Sequence, residues 1–378
     1  MPDIENQRLS LSAGEVKPGG EPKKPSSDKE RQEKKDKKPV QRPTRNIVPI
    51  IMSLALFMVF SLAPLEAQMD IGISLQGTYS DNVFQISEYD LERFSEHHPN
   101  LDYVDTTDDL ALTARFDLAY PIHYKWWKFT PSVTGRISQN VSNPDKKRQD
   151  ALLRFRVDRY YWNFTALYGY YPNIYVRSYI DSDGSGQLEK YSYEKNLWRG
   201  DLNLKPIKGA NIRLHGRYEQ YFYNQYWTEY DSDAITTGLE LRYWFPAFSL
   251  SGSYHYRVLD NHNHDAEDAS YESNIYGGRI RLKSMPLSEK KPDGVAFYPS
   301  FGITFEERFF QSADDWYGGR VYDIYGTDAA LNFEIDDHWN LKLDYSHTFR
   351  NVESPVAAVR RLREYGENRF SATVKYEF

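Results

Sequence analysis

The C-terminal residues Arg369 to Phe378, RFSATVKYEF, decide the fold of this chain. Apolar residues occupy every second position from Phe370 to Phe378, and polar or charged residues occupy the positions between them. Successive side chains of an extended chain point to opposite faces. The stretch therefore predicts a β-strand with one apolar face and one polar face, ending on a terminal aromatic residue.

The ending Tyr376-Glu377-Phe378 resembles the C-terminal signal of Gram-negative outer-membrane β-barrel proteins, in which an alternating strand closes on a terminal phenylalanine. The resemblance is to porin-like barrels and identifies no subfamily. It implies that Tyr376 and Phe378 form an assembly signal for the barrel assembly machinery. It also implies contact with outer-membrane lipid and a location in the outer membrane of a Gram-negative bacterium.

Composition agrees with a strand-rich chain. The formal net charge is −7 over 378 residues, and the mean hydropathy is −0.72, which excludes a helical membrane protein. Aromatic residues make up 16% of the chain, including 31 Tyr, as is usual for strands with aromatic girdles. Cysteine is absent, which suits an oxidising compartment. No nucleic-acid partner and no cofactor are predicted.

Two segments precede the strands. Residues 1–45 are polar, mix both signs of charge and show no apolar periodicity, so they predict a disordered leader. Residues 46–67 hold an apolar run with arginines before it and small residues after it, which predicts a secretory signal peptide cleaved after Ala67. The alternative is an uncleaved membrane anchor, but the run is short and is interrupted by Pro49. Residues 68–378 form the predicted barrel.

Alternating polarity recurs along the whole of this region, and no amphipathic helix is predicted. The predicted strands lie near residues 70–80, 109–120, 127–138, 150–158, 163–171, 194–205, 211–222, 235–243, 248–257, 272–284, 295–309, 323–335, 339–350 and 369–378. This makes about 14 strands, an even number that suits an all-β, transmembrane, antiparallel up-and-down barrel. The links between the strands alternate between short and long, with one exception at residues 286–294, a longish link on the turn side. Such alternation is expected when turns face one side of a membrane and loops face the other.

Tryptophan gives a second indication of a membrane. Five of the eight Trp residues lie at the predicted short-turn ends, where an indole would meet lipid headgroups. They are Trp126, Trp127, Trp162, Trp244 and Trp339.

The polar face of the strands is too heavily charged and too regular for a dry interior. We therefore expect the apolar face to meet lipid and the polar face to line a lumen. The soluble alternatives are a large β-sandwich and a tandem of β domains. The predicted lumen-lining residues are Arg115, Arg136, Arg154, Arg156, Arg213, Arg217, Arg242, Arg257, Arg279, Arg281, Arg308, Lys342, Glu219, Glu240, Glu306 and Asp344.

This set leaves two interpretations open. The basic residues form a ladder that draws anions or acidic sugars through a water-filled channel, or they form cross-strand ion pairs that brace the wall. The leading prediction is an outer-membrane channel or export conduit for polar solutes, with anions or carbohydrate as candidates. One alternative is a structural or adhesive barrel whose acidic, Tyr-rich loops bind a surface partner or polysaccharide. The other is a rim-active outer-membrane hydrolase.

Two loop motifs have the residue types of metal ligands. The stretch from Asp181 to Gly186 looks like the start of a calcium loop, but Ser192 stands where the closing acidic residue would be. His262 and His264 could bind a divalent metal. Polar loop tips explain both motifs better, and no G-x-S-x-G motif is present. We therefore predict no metal site and no catalytic residue, and we predict that the chain is not an enzyme.

Overall fold

The computed structural model describes residues 69–181, 184–263, 268–287, 294–312 and 316–378. The predicted leader, residues 1–45, and the predicted signal peptide, residues 46–67, lie outside these ranges, and both stay predictions. No helix among the described residues is long and apolar enough to cross a bilayer.

The described residues form sixteen β-strands in one sheet. They are β1 (Asp70–Ser80), β2 (Asp109–Ala119), β3 (Ile122–Tyr124), β4 (Trp127–Asn140), β5 (Arg148–Asp158), β6 (Trp162–Ile180), β7 (Leu188–Leu204), β8 (Ala210–Tyr223), β9 (Ser232–Trp244), β10 (Phe248–Asn261), β11 (Tyr271–Leu282), β12 (Met285–Pro286), β13 (Ala296–Phe310), β14 (Val321–Glu334), β15 (Trp339–Glu353) and β16 (Tyr365–Glu377). The short strand β3 continues β2 along the same partner, β4. The short strand β12 continues β11 along β13 in the same way. Counting β2 with β3 and β11 with β12 as one position each, the barrel wall has fourteen strand positions, called staves below. Each of the fourteen predicted strands overlaps one stave.

The sheet closes on itself. Every stave pairs antiparallel with its neighbours, and β1 pairs with β16 from Gly72 opposite Glu377 to Ser80 opposite Arg369. The terminal residue takes part, because the Phe378 amide donates to the Ile71 carbonyl at 2.9 Å. Closure leaves no open edge, which satisfies the backbone hydrogen bonds within the wall. The predicted closed antiparallel barrel is confirmed.

The two faces of the wall have the polarity that the sequence predicts. Large apolar side chains stand exposed on the outside, as at Leu75, which is 63% exposed, and Phe370, which is 53% exposed. A water-soluble barrel would bury such residues. Other exposed apolar residues of the strands are Ile73, Leu112, Phe116, Phe155, Leu214, Leu239, Leu241, Phe301, Ile303, Leu343 and Val374.

The connections separate into a loop end and a turn end, as predicted. The loop end carries the seven connections 81–108, 141–147, 181–187, 224–231, 262–270, 311–320 and 354–364. The first and last of these contain the short helices α1 (Glu88–Ser95) and α2 (Ala357–Arg363). The sequence predicts no amphipathic helix, and these two short helices were therefore not expected. Each helix spans only about two turns within a polar loop, too short to show a clear apolar period in the sequence.

The turn end carries an aromatic girdle. All five predicted tryptophans lie there, and Trp127 stacks on Phe129 at 6.0 Å and meets Trp162 edge-on at 5.7 Å. The turn before β15 is fixed by the Asp336 carboxylate, which accepts the amides of His338 at 2.8 Å and Trp339 at 2.7 Å. These two backbone hydrogen bonds lower the pKa of the Asp336 carboxyl.

We expect the two faces to respond oppositely to a new charge. Leu75→Arg places a cation on the apolar outside and should lower the free energy of unfolding in lipid by about 2–4 kcal/mol. Gln76→Arg, at the adjacent inward position, is the control and should cost little. Urea unfolding in vesicles, followed by the gel mobility of unheated samples, measures both. Equal losses in the two variants would contradict the assignment of faces.

Candidate functional site

The interior of the barrel holds the candidate site. Paired residues of an antiparallel ladder point to the same face. The strand registers therefore place all sixteen predicted lumen-lining residues opposite the apolar outside, on the face that encloses the lumen. Most of them take part in ion pairs.

The ion pairs follow a simple rule along the strands. A cation pairs with a carboxylate two residues away on the same strand, because positions i and i+2 share a face. Arg115 and Asp117 are 2.7 Å apart, and Arg242 and Glu240 are 2.7 Å apart. The other pairs of this kind include Arg156–Asp158, Arg199–Asp201, Arg217–Glu219, Arg308–Glu306, Lys342–Asp344, Arg369–Glu367 and Lys375–Glu377.

Other pairs link strands. Arg136 bonds the buried carboxylate of Asp150 on the neighbouring strand at 3.0 Å. Arg279 of β11 reaches Asp328 of β14 at 2.8 Å, passing over Gly302 of the strand between them. An added Cβ at Gly302 would lie 2.9 Å from the guanidinium nitrogen, so the glycine leaves room for the bridge in its present position. The wall is therefore braced both along and across its strands.

The densest group of charges surrounds Glu219, which is fully buried. Its carboxylate accepts Arg217 at 2.5 Å, Arg257 at 2.9 Å and Lys195 at 3.2 Å. Arg257 also donates to the Tyr221 hydroxyl at 2.9 Å. Three cations on one carboxylate leave a local excess of positive charge inside the barrel.

A polar cavity of about 850 Å³ occupies the turn end of the lumen. Residues of β1, β2, β4 to β8 and β16 border it, which shows that these strands present one concave face. Its charged lining residues are Arg115, Arg154, Arg156, Arg199, Arg213, Lys375, Asp70, Asp117, Asp201 and Glu377. Cations thus outnumber carboxylate side chains in this lining by six to four.

Two of the predicted lumen residues have no carboxylate partner among the described residues. Arg154, which borders the cavity, forms no ion pair with any described carboxylate, and neither does Arg281, which lies outside that lining. Arg281 instead lies over the Tyr298 ring, 5.4 Å from its centroid.

Aromatic residues fill the loop end of the lumen, which the sequence analysis missed. Tyr191, Tyr193, Tyr221 and Tyr223 point inward and are buried, at the ends of β7 and β8. The predicted strand 194–205 began too late to include the first two. Their spacing, with Tyr at alternate positions on the polar face, was the available signal.

Arginines pack on other tyrosine rings of the same buried aromatic cluster. The Arg308 guanidinium lies 4.4 Å from the Tyr271 centroid, and that of Arg350 lies 4.7 Å from the Tyr322 centroid. Such cation–π contacts are strongest where water is excluded. They connect the aromatic layer to the charged lumen beneath it.

The first loop, residues 81–108, lies over the loop end. Arg177 of β6 donates to the backbone carbonyls of Phe84 at 2.9 Å and Gln85 at 2.5 Å. On the opposite side, Arg361 of α2 lies 3.9 Å from the ring centroid of Tyr89 in α1. The loop is therefore held between β6 and the last loop.

The two metal-like motifs take part in local contacts. The Asp181 carboxylate accepts the Ser185 amide at 2.7 Å, as in a hairpin tip. His262 lies 3.3 Å from the Asp233 carboxylate, and His264 lies outside the described residues. Within the described ranges, no group of three or more acidic or histidine side chains is arranged to hold a metal ion.

Comparison with known proteins gave matches among solved structures alone. No family model matches the sequence, and no curated protein matches it. One similar structure is titled "Bacterial polysaccharide outer membrane secretin", with a TM-score of 0.47, 8% identity, and coverage of 82% of this chain and 98% of that one. An anion-selective porin from Comamonas acidovorans gives a TM-score of 0.41 at 10% identity, covering 83% and 100%. The NanC porin gives a TM-score of 0.39 at 8% identity, and the match covers 81% of this chain and 100% of the porin. These scores do not assign a family, and the fold rests on the strand pairing itself.

Loss of the central carboxylate should destabilise the barrel. Glu219→Gln leaves three cations facing one another in a buried site, and we expect the free energy of unfolding to fall by about 3–5 kcal/mol. The control is Asp344→Asn, which breaks the half-exposed pair with Lys342 and should cost about 0–1 kcal/mol. Urea unfolding of the refolded proteins in detergent compares them. Equal effects would show that Glu219 is not the central link of the lumen.

Proposed function

We propose that this chain is an outer-membrane channel for polar solutes that favours anions. The observation that carries the proposal is the closed wall with apolar side chains outside and ionic side chains inside. A barrel in water has no reason to expose a belt of leucine, isoleucine and phenylalanine, whereas hydrocarbon favours that belt and requires closure. The tryptophan girdle at the turn end supports the same orientation in a bilayer.

The preference for anions follows from the lumen charges. Cations outnumber carboxylate side chains in the cavity lining, and the group around Glu219 adds further positive charge. In a narrow, low-dielectric passage such an excess raises the local concentration of anions. The transported solute is thus a polar molecule that carries negative charge.

The proposal includes a restriction at the loop end. The first loop and the aromatic layer lie between the mouth and the charged lumen, so the intact channel should have a small conductance. A structural or adhesive barrel is the second candidate, because the same covered, Tyr-rich end could bind a surface partner or polysaccharide. It would not conduct. The prediction that the chain is not an enzyme stays a prediction.

Assembly is part of the proposal as well. We expect the barrel assembly machinery to recognise Tyr376 and Phe378, because they lie at the end of the strand that closes the sheet.

Planar-bilayer recording of the refolded protein tests the channel. Under a potassium chloride gradient, the reversal potential should have the sign expected when chloride is more permeant than potassium. A variant lacking residues 85–105 should conduct more, because it loses the loop that lies over the loop end, and it should keep the anion preference. A cation preference, or no conductance from either folded protein, would overturn the channel and favour the adhesive barrel.

A further inference from the structure

Arg154 of β5 departs from the rule that governs the other cations of the turn-end cavity. Arg115, Arg156, Arg199 and Lys375 each pair with a carboxylate two residues along their own strand. Arg213 bonds Asp201 on the adjacent strand at 2.9 Å. Arg154 forms no ion pair and no side-chain hydrogen bond with any described residue.

The inward positions next to Arg154, on its own strand and on the two adjoining strands, hold no carboxylate. Its partner on β4 is Ser132, and its partner on β6 is Leu167. Along β5 the inward neighbours are Leu152 and Arg156. The register therefore places no carboxylate directly beside this guanidinium.

The charges that act on Arg154 are mostly of the same sign. Arg115, Arg156 and Arg199 lie close enough to repel it, and Asp117 lies close enough to attract it. The Asp117 carboxylate is already engaged, since it accepts two hydrogen bonds from Arg115 at 2.7 Å and one from Thr134 at 2.6 Å. Arg115, Arg156 and Arg199 are likewise each paired with a carboxylate. Arg154 alone among these four guanidiniums keeps its fork of donors unused, and an unpaired guanidinium favours entry of an anion.

We propose that Arg154 is the centre of an oxyanion-binding site inside the channel, an inference that rests on the proposed function and specifies its solute. A guanidinium holds a carboxylate or a phosphate through two parallel hydrogen bonds. The cavity of about 850 Å³ has the volume of a small-molecule site. Ser132, Asn163 and Thr165 border it and can bond hydroxyl groups. The ligand class is a small, hydroxyl-rich solute with one oxyanion group, such as a sugar acid or a sugar phosphate.

Binding to the refolded protein in detergent micelles tests the site without requiring conduction. The calorimetric probes are glucuronate and inorganic phosphate, with glucose as the uncharged comparison. The unaltered protein should bind at least one of the two anions and bind glucose more weakly. Binding of glucuronate identifies carboxylate-bearing solutes, and binding of phosphate identifies phosphate-bearing ones. If neither anion binds, the site is refuted.

Two variants with the same change in charge locate the site. Arg154→Gln should weaken anion binding by roughly tenfold or more, because charge-assisted hydrogen bonds are lost. Arg281→Gln removes another lumen arginine without a carboxylate partner, but outside the cavity, and should leave the affinity within about twofold. Arg154→Lys keeps the charge, loses the fork and should fall between them. Equal losses of anion affinity in the two glutamine variants would show that only the overall charge of the lumen matters, and would overturn the site.

The outcomes separate this inference from the proposed function. If the protein conducts anions preferentially but Arg154→Gln loses no more anion affinity than Arg281→Gln, the channel stands and the Arg154 site is rejected. If an anion binds in a way that depends on Arg154 but the protein does not conduct, the site stands and the channel is rejected. Gel mobility of unheated samples confirms that each variant is folded.

Discussion

Closure of the sheet between β1 and β16 is the constraint on which the rest of the structure depends. A strand in hydrocarbon cannot leave its amides unpaired, so the wall must return to its starting strand. Once it does, the period of two along every strand fixes which residues face lipid and which face the lumen. The terminal strand meets both demands, because the Phe378 amide that follows it bonds the first strand and its residues Phe370 and Tyr376 lie on the outside.

The interior follows from the same geometry. Ionic side chains forced onto one face need partners, and the nearest position on that face is two residues along the strand. The pairs Arg115–Asp117 and Arg242–Glu240 show the result. Such pairs neutralise most of the lumen and hold the wall rigid, so the remaining function rests on the few cations that the pattern leaves out. Arg154 is the clearest of these.

Local pattern predicted the fold well, because strand identity and facing depend on adjacent residues. It failed where local signals were interrupted. The predicted strand 163–171 ended at the bulge that follows Tyr171, whereas β6 continues to Ile180 with two shifts of register. Cross-strand ion pairs were one of the two interpretations of the lumen charges, and pairs such as Arg136–Asp150 are present. The pairs within single strands were not predicted, although the spacing of Arg and Asp two apart was visible. The cavity and the isolation of Arg154 depend on registers between strands distant in sequence, which periodicity cannot supply.

The absence of cysteine from the sequence makes the central claim directly measurable. Single cysteines placed along β16 can carry nitroxide labels, and electron paramagnetic resonance reports their contact with oxygen, which concentrates in lipid, and with a water-soluble nickel chelate. The account predicts high oxygen contact at positions 370, 372 and 374 and high nickel contact at positions 371, 373 and 375. Nickel contact at the first set and oxygen contact at the second, or no alternation between them, would contradict it.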